Sequence, residues 1–279
     1  MSMRTVQHIV TGHPTSDGAG VKLTRILSPG NKLDPFLLLD EFNSDEAADY
    51  IGGFPSHPHR GFETVTYMLD GEMLHEDHLG NQGRLTPGSV QWMTAARGII
   101  HSEMPQQIEG RMRGFQLWLN LPASEKMKDA SYQDIPPEAI PQVAIAGGWV
   151  KVVAGKLQLG TDTVNGAVQG VSTDPLYLDV QLEPGATLSI PVSPGHTAAT
   201  YVFEGTAKIG EQALTRGQMA VLADGDSINL TATDSTARIL LLAAKPLREP
   251  VAHYGPFVMN TTQEIEQAMR DYRDGRLTV

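Results

Sequence analysis

No cysteine occurs among the 279 residues. That absence excludes disulfide staples, thiolate metal sites and cysteine nucleophiles together, and it fits a cytoplasmic protein. Basic residues are scarce too: 21 Lys and Arg stand against 32 Asp and Glu, a net charge of −11. Such a chain repels a phosphate backbone, so no direct nucleic-acid partner is expected. Long apolar runs are missing as well. The longest aliphatic stretch towards the end, 239–244, is far short of the ~20 residues that span a bilayer. The opening MSMRTVQHIVTG has no apolar core of signal-peptide length. A soluble protein with no membrane partner is expected. Gly18-Ala19-Gly20 lacks the rest of a dinucleotide fingerprint, and neither GxSxG nor a phosphate-binding GKS or GKT loop occurs.

What is abundant is turn chemistry. With 28 Gly and 18 Pro, the chain is punctuated into short apolar segments, and 64–69, 89–93 and 115–119 are rich in β-branched and aromatic residues. An all-β sandwich or barrel is expected. Residues 122–147 are polar, proline-punctuated and non-periodic, as an inter-domain connector would be, which puts a boundary near 140 and predicts domains over 1–140 and 141–279. RLTPGSVQWMTA (84–95) lines up with ALTRGQMAVLAD (213–224), and YMLDG (67–71) with YVFEG (201–205), so one β unit is repeated. At the C-terminus, Thr261 with Glu264 forms a capping box, and Ile265, Ala268, Met269 and Tyr272 make one helical stripe that ends near Gly275.

Three of the nine histidines fall in two phrases, His57-Pro58-His59 and His101-Ser102-Glu103. Residues i and i+2 of a strand share a face, so each phrase offers two ligand-capable side chains side by side. Three imidazoles and one carboxylate suit Fe, Mn, Ni, Cu or Zn, with positions left open on an octahedral ion. Glu63 has the parity of His57 and His59 and competes for the same ion. His75 and His78, in LHEDHLGN, lack the spacing of a helical HExxH zinc motif and are expected at a pocket edge or in solvent. DGDSIN (224–229) has Asn229 where a calcium loop needs Gly, and reads as a turn. Arg60 and Arg97 flank the ligand phrases, either to steer an anionic substrate or to form structural ion pairs.

His57, His59, Glu63 and Gly71 approximate the first cupin motif, and Gly98-Ile99-Ile100-His101 the second. The longer phrases HPHRGFETVTYMLDGEMLHEDHLGN (57–81), PGSVQWMTAARGIIHSEMP (87–105), GFQLWLNLP (114–122) and PLREPVAHYGPFVMNT (246–261) resemble the pirin family in the same order. The resemblance implies a bicupin of two face-to-face antiparallel β-barrels of jelly-roll type with a short C-terminal helix. It also implies one Fe(II)-type ion per chain in the N-terminal barrel, on His57, His59, His101 and Glu103, and a metal-free C-terminal barrel. Bacterial relatives are associated with quercetin 2,3-dioxygenase activity, so a flavonol and O2 are the expected partners, with Glu103 as ligand and general base. Phe54, Pro55 and Met104 are then candidates for the walls around flat rings. The alternative role is a non-enzymatic, iron-dependent redox switch acting on a protein partner, as in pirin-type transcriptional co-regulation. Counted back from Gly71 and Gly205, the repeat places Pro191, Ser193 and Thr197 opposite His57, His59 and Glu63, and the other anchor places Leu230 opposite His101.

Overall fold

Alternating short apolar segments and glycine turns give antiparallel strands along nearly the whole chain. The computed structural model describes residues 2–279. They fall into two compact units, one joining the segment up to Gly12 with Glu138–Pro246, the other joining His13–Pro137 with Leu247–Val279. Each unit holds a seven-stranded and a four-stranded antiparallel sheet, the bicupin architecture, among the described residues.

The repeat is visible in strand order. Phe62–Asp70 lies between Val90–Thr94 and Met112–Asn120 in one seven-stranded sheet, as Thr197–Glu204 lies between Gln218–Leu222 and Ala237–Ala244 in the other. The aliphatic run 239–244 is the buried spine of that last strand.

The expected division at residue 140 needs a correction at both ends. Val6–Thr11 pairs with Gln218–Leu222 of the later unit, and residues 247–279 pack within the earlier one. The terminal segments are exchanged because each completes a sheet or core far from it in sequence. The connector at 122–147 is not loose chain either. Ser131–Ile135 adds to Val90–Thr94 as an edge strand, and Gln142–Ile145 pairs with Gly148–Ala154.

The helix, Thr262–Arg273, starts where its capping box predicts, with the Thr261 hydroxyl accepting from the Glu264 N–H and the Glu264 carboxylate accepting from the Thr261 N–H. Its buried stripe is narrower than the sequence suggests. Ile265 and Ala268 join Phe257, Met259 and Leu277 in a small core, whereas Met269 and Tyr272 remain exposed.

Candidate metal centre

His57 and His59 sit on Phe54–His59, which runs antiparallel to Ile99–Pro105 with His101 directly across from His57 and Ile99 across from His59. The two-residue period and this register bring three imidazoles together, with one nitrogen of each within 4.8 Å of the others. Nε2 of His57 lies 3.0 Å from Nε2 of His59. Two nitrogen ligands each ~2.1 Å from one ion and at right angles about it are themselves ~3 Å apart, so the spacing fits a shared ion.

The outward nitrogens support the same fit. Nδ1 of His57 lies 2.8 Å from the Pro55 carbonyl, which only accepts, so Nδ1 carries the hydrogen and Nε2 presents its lone pair. His101 directs Nδ1 to Nε2 of His75 at 2.9 Å, leaving its own Nε2 buried without a hydrogen-bond partner among the described residues. Burial, and then the neighbouring imidazoles, hold His59 and His101 well below the ordinary histidine range, so both rings are neutral and ligand-competent. A divalent ion would satisfy nitrogens that are otherwise costly to bury.

Two glycines make the close approach behind this wall possible. At Gly61, φ is +94° and a Cβ would lie 1.9 Å from the Val258 carbonyl oxygen; at Gly98 a Cβ would meet the Leu277 carbonyl oxygen at 2.3 Å. Lys126 fixes the first turn from within the protein. Its Nζ donates to the carbonyls of Gly61 (2.6 Å) and Val258 (3.0 Å) and to Asn120 Oδ1 (2.6 Å), and burial lowers its pKa to about 8.

Glu103 is buried beside the histidines but is not one of the three clustered donors. Its Oε1 accepts from the Thr66 hydroxyl at 2.9 Å and its Oε2 from Gln116 Nε2 at 3.0 Å. Glu63, expected to compete for the ion, faces the other way. The chain passes from one sheet to another through Arg60 and Gly61, so strand parity is not carried from His59 to Glu63. Glu63 instead accepts from the Thr94 hydroxyl at 2.7 Å, and burial pushes its carboxyl above the ordinary range.

His75 also departs from expectation. It is fully buried, on a strand that pairs with Ile99–Pro105, and it backs His101. Its strand alternation with Met73 and Asp77 was the available signal; the sequence alone gave no register. His78 is exposed, as expected.

A cavity of 630 Å³ opens on the site, with His57 and Glu103 in its wall. Leu38, Phe42, Phe54, Pro55, Met73 and Trp118 give it apolar sides. Met104 is absent from the lining, because strand alternation turns it away from the face that Glu103 occupies. Arg60 and Arg97 are absent too. Arg60 pairs with Asp271 at 2.7 Å and donates to the carbonyls of Arg97 and Leu277, and Arg97 pairs with Asp129 at 3.2 Å. The cavity's own arginine is Arg25, which no motif had marked.

Among the described residues the repeat contains no equivalent donor set. Leu230, the counterpart of His101, pairs with Leu188, and Ile228 pairs with Ile190, so Leu188, Ile190 and Leu230 stand where His57, His59 and His101 stand. All three belong to one hydrophobic core. The alignment to Pro191 and Ser193 slips because the turn after Pro191 runs for five residues before Thr197, against Arg60 and Gly61 alone before Phe62.

Comparison with known proteins finds similarity along nearly the whole chain. Family models described as Pirin and as the Pirin C-terminal cupin domain match residues 20–119 and 177–278. A Pseudomonas aeruginosa protein, whose quercetin 2,3-dioxygenase name is provisional, is 54% identical with 99% of each chain covered. Human pirin is 44% identical, with 99% of this chain and 94% of that one covered. A crystal structure of quercetin 2,3-dioxygenase from Acinetobacter baumannii superposes with a TM-score of 0.90 at 34% identity, covering 99% of each chain.

Proposed function

The chain belongs to the pirin family, and from that premise we propose that it is a metal-dependent dioxygenase cleaving flavonols such as quercetin. The observation that carries the reading is the 630 Å³ cavity, apolar along its sides, with His57 and Glu103 together in its wall. A flat bicyclic phenol fits walls of this kind, and its enolic edge is the part with oxygens to offer.

His57, His59 and His101 would hold the ion, with Glu103 as the carboxylate of the site; Fe(II) is the ion the resemblance implies, and Mn, Ni, Cu and Zn also accept imidazole donors. The chemistry such an ion supplies when bound is Lewis acidity towards an enolic hydroxyl, whose pKa it lowers. Glu103 then takes that hydroxyl's proton at Oε2, exchanging the hydrogen bond from Gln116 for one from the substrate, while Thr66 holds Oε1 in place. Leu38 and Trp118, side by side on neighbouring strands, offer the ring plane one apolar wall and displace water from it.

The test is oxygen consumption with quercetin by Fe- or Mn-loaded protein. Turnover well above that of the free metal, falling by at least ~100-fold in Glu103→Gln, is expected. No turnover above free metal under any loading would sink the enzyme and leave the redox switch on a protein partner as the reading. Full activity in the variant would remove only the base.

A further inference from the structure

The cavity has a second polar end that the proposed reaction does not use. Thr66 is directly across from Gln116, Gln116 from Asp40, and Asp40 from Arg25, on four neighbouring strands. All four line the cavity, so they form one polar row across an otherwise apolar floor. At ~4.8 Å between strands, the row extends roughly 14 Å from the Thr66 strand to the Arg25 strand. Glu103 is bonded to its first two members.

At the far end the Arg25 guanidinium grips Asp40 with both prongs, Nε to Oδ1 at 2.9 Å and Nη2 to Oδ2 at 2.7 Å, and Nη2 also reaches Asp17 at 3.0 Å. Nη1 makes no hydrogen bond to protein among the described residues. A buried ion pair is an expensive way to join two strands, since well-packed apolar side chains commonly do as well. Here the pair faces a cavity, its Asp40 carboxylate only 7% exposed, and an approaching ligand meets an acceptor held fixed by Arg25.

We propose that the Arg25–Asp40 pair determines specificity by recognising a hydroxyl on the pendant ring of a flavonol whose enolic edge lies at Glu103. The phenolic hydroxyl donates to the Asp40 carboxylate, which Arg25 holds in place through Nε and Nη2. A ligand with a bare pendant ring would cover the pair without replacing its water, so it is penalised rather than merely less well held. The inference rests on the flavonol reading above, and it makes hydroxylated flavonols the substrate class.

Binding tests it without turnover. Metal-loaded protein is titrated under anaerobic conditions, by calorimetry, with quercetin and with the flavonol identical except for a bare pendant ring. Wild type is expected to bind quercetin at least ~10-fold more tightly. The double variant Arg25→Met/Asp40→Leu, which leaves neither charge alone, should bring the two dissociation constants to within about 2-fold, chiefly by weakening quercetin. Equal affinities in wild type would overturn the inference whether or not the variant folds, and leave the flavonol reading intact. An undiminished preference in a folded double variant would overturn it too. Failure of wild type to bind either compound would remove the flavonol reading, and this inference with it.

Discussion

Nε2 of His75 lies 2.9 Å from Nδ1 of His101, both rings buried in the same wall. The two residues come from neighbouring antiparallel strands, with Glu103 directly across from His75 and His101 across from Asp77. His75 therefore controls which nitrogen of His101 presents a lone pair to the cluster, and it locks the ring's orientation.

Partners of this kind are commonly worth 10–100-fold in metal affinity. His75→Ala is expected to lose affinity in that range, measured by competition with a chelator of known strength. His75→Asn, which can still hydrogen-bond, should lose less. Unchanged affinity in both variants would show that the contact does not orient His101.

Metal content is expected to reach at most one transition-metal equivalent per chain, because Leu188, Ile190 and Leu230 offer no ligand atom in the repeat. Elemental analysis after dialysis should show that loss of either His57 or His101, each changed to Ala, empties the site. Chelation should also lower the melting temperature, since an ion bound only to the folded chain stabilises it.

Lys126→Met is expected to destabilise the fold by about 2–4 kcal/mol in urea denaturation, because it strands three buried acceptors at once. Burial has already lowered this lysine to about 8, against an ordinary 10.5. Between those values the unfolded chain holds the extra proton, so this group's penalty on the fold is relieved as pH rises through that window. The variant should lose that upward trend.

Asp271 predicts the acid limb. Burial raises its carboxyl, but the hydrogen bonds from Arg60 and Gln267 outweigh that and leave it below the ordinary 3.8. A depressed carboxylate adds stability that is present above the unfolded pKa and is lost as pH falls through the folded one. The helix contact with Arg60 should therefore weaken below about pH 4. Asp271→Asn should flatten that part of a stability-against-pH curve, and an unaltered curve would show that the pair contributes nothing.

The site was legible in the sequence wherever a two-residue period within one strand was enough. His57, His59 and His101 needed only that period and the idea that two phrases converge. Glu63 was misread because parity was extended through Arg60 and Gly61, where the chain changes sheets. His75 and Arg25 were missed for a different reason: each reaches the site through register with another strand, and register is a tertiary quantity. The duplicated barrel was readable from its turn sequences, but not position by position, since a turn of different length shifts every later comparison.

The exchange of terminal segments fixes an order of events during synthesis. The strands carrying His57, His59 and His101 leave the ribosome early, yet the segment that backs Gly61 and Gly98 emerges only after the whole of the other unit has been made. Until residues 247–279 are available, the turn at Gly61 has no Val258 carbonyl against it and Arg60 has no Asp271. The backing of the histidine wall is thus completed late, and a chain arrested just short of that segment would carry one finished unit and one whose histidine strands lack their support.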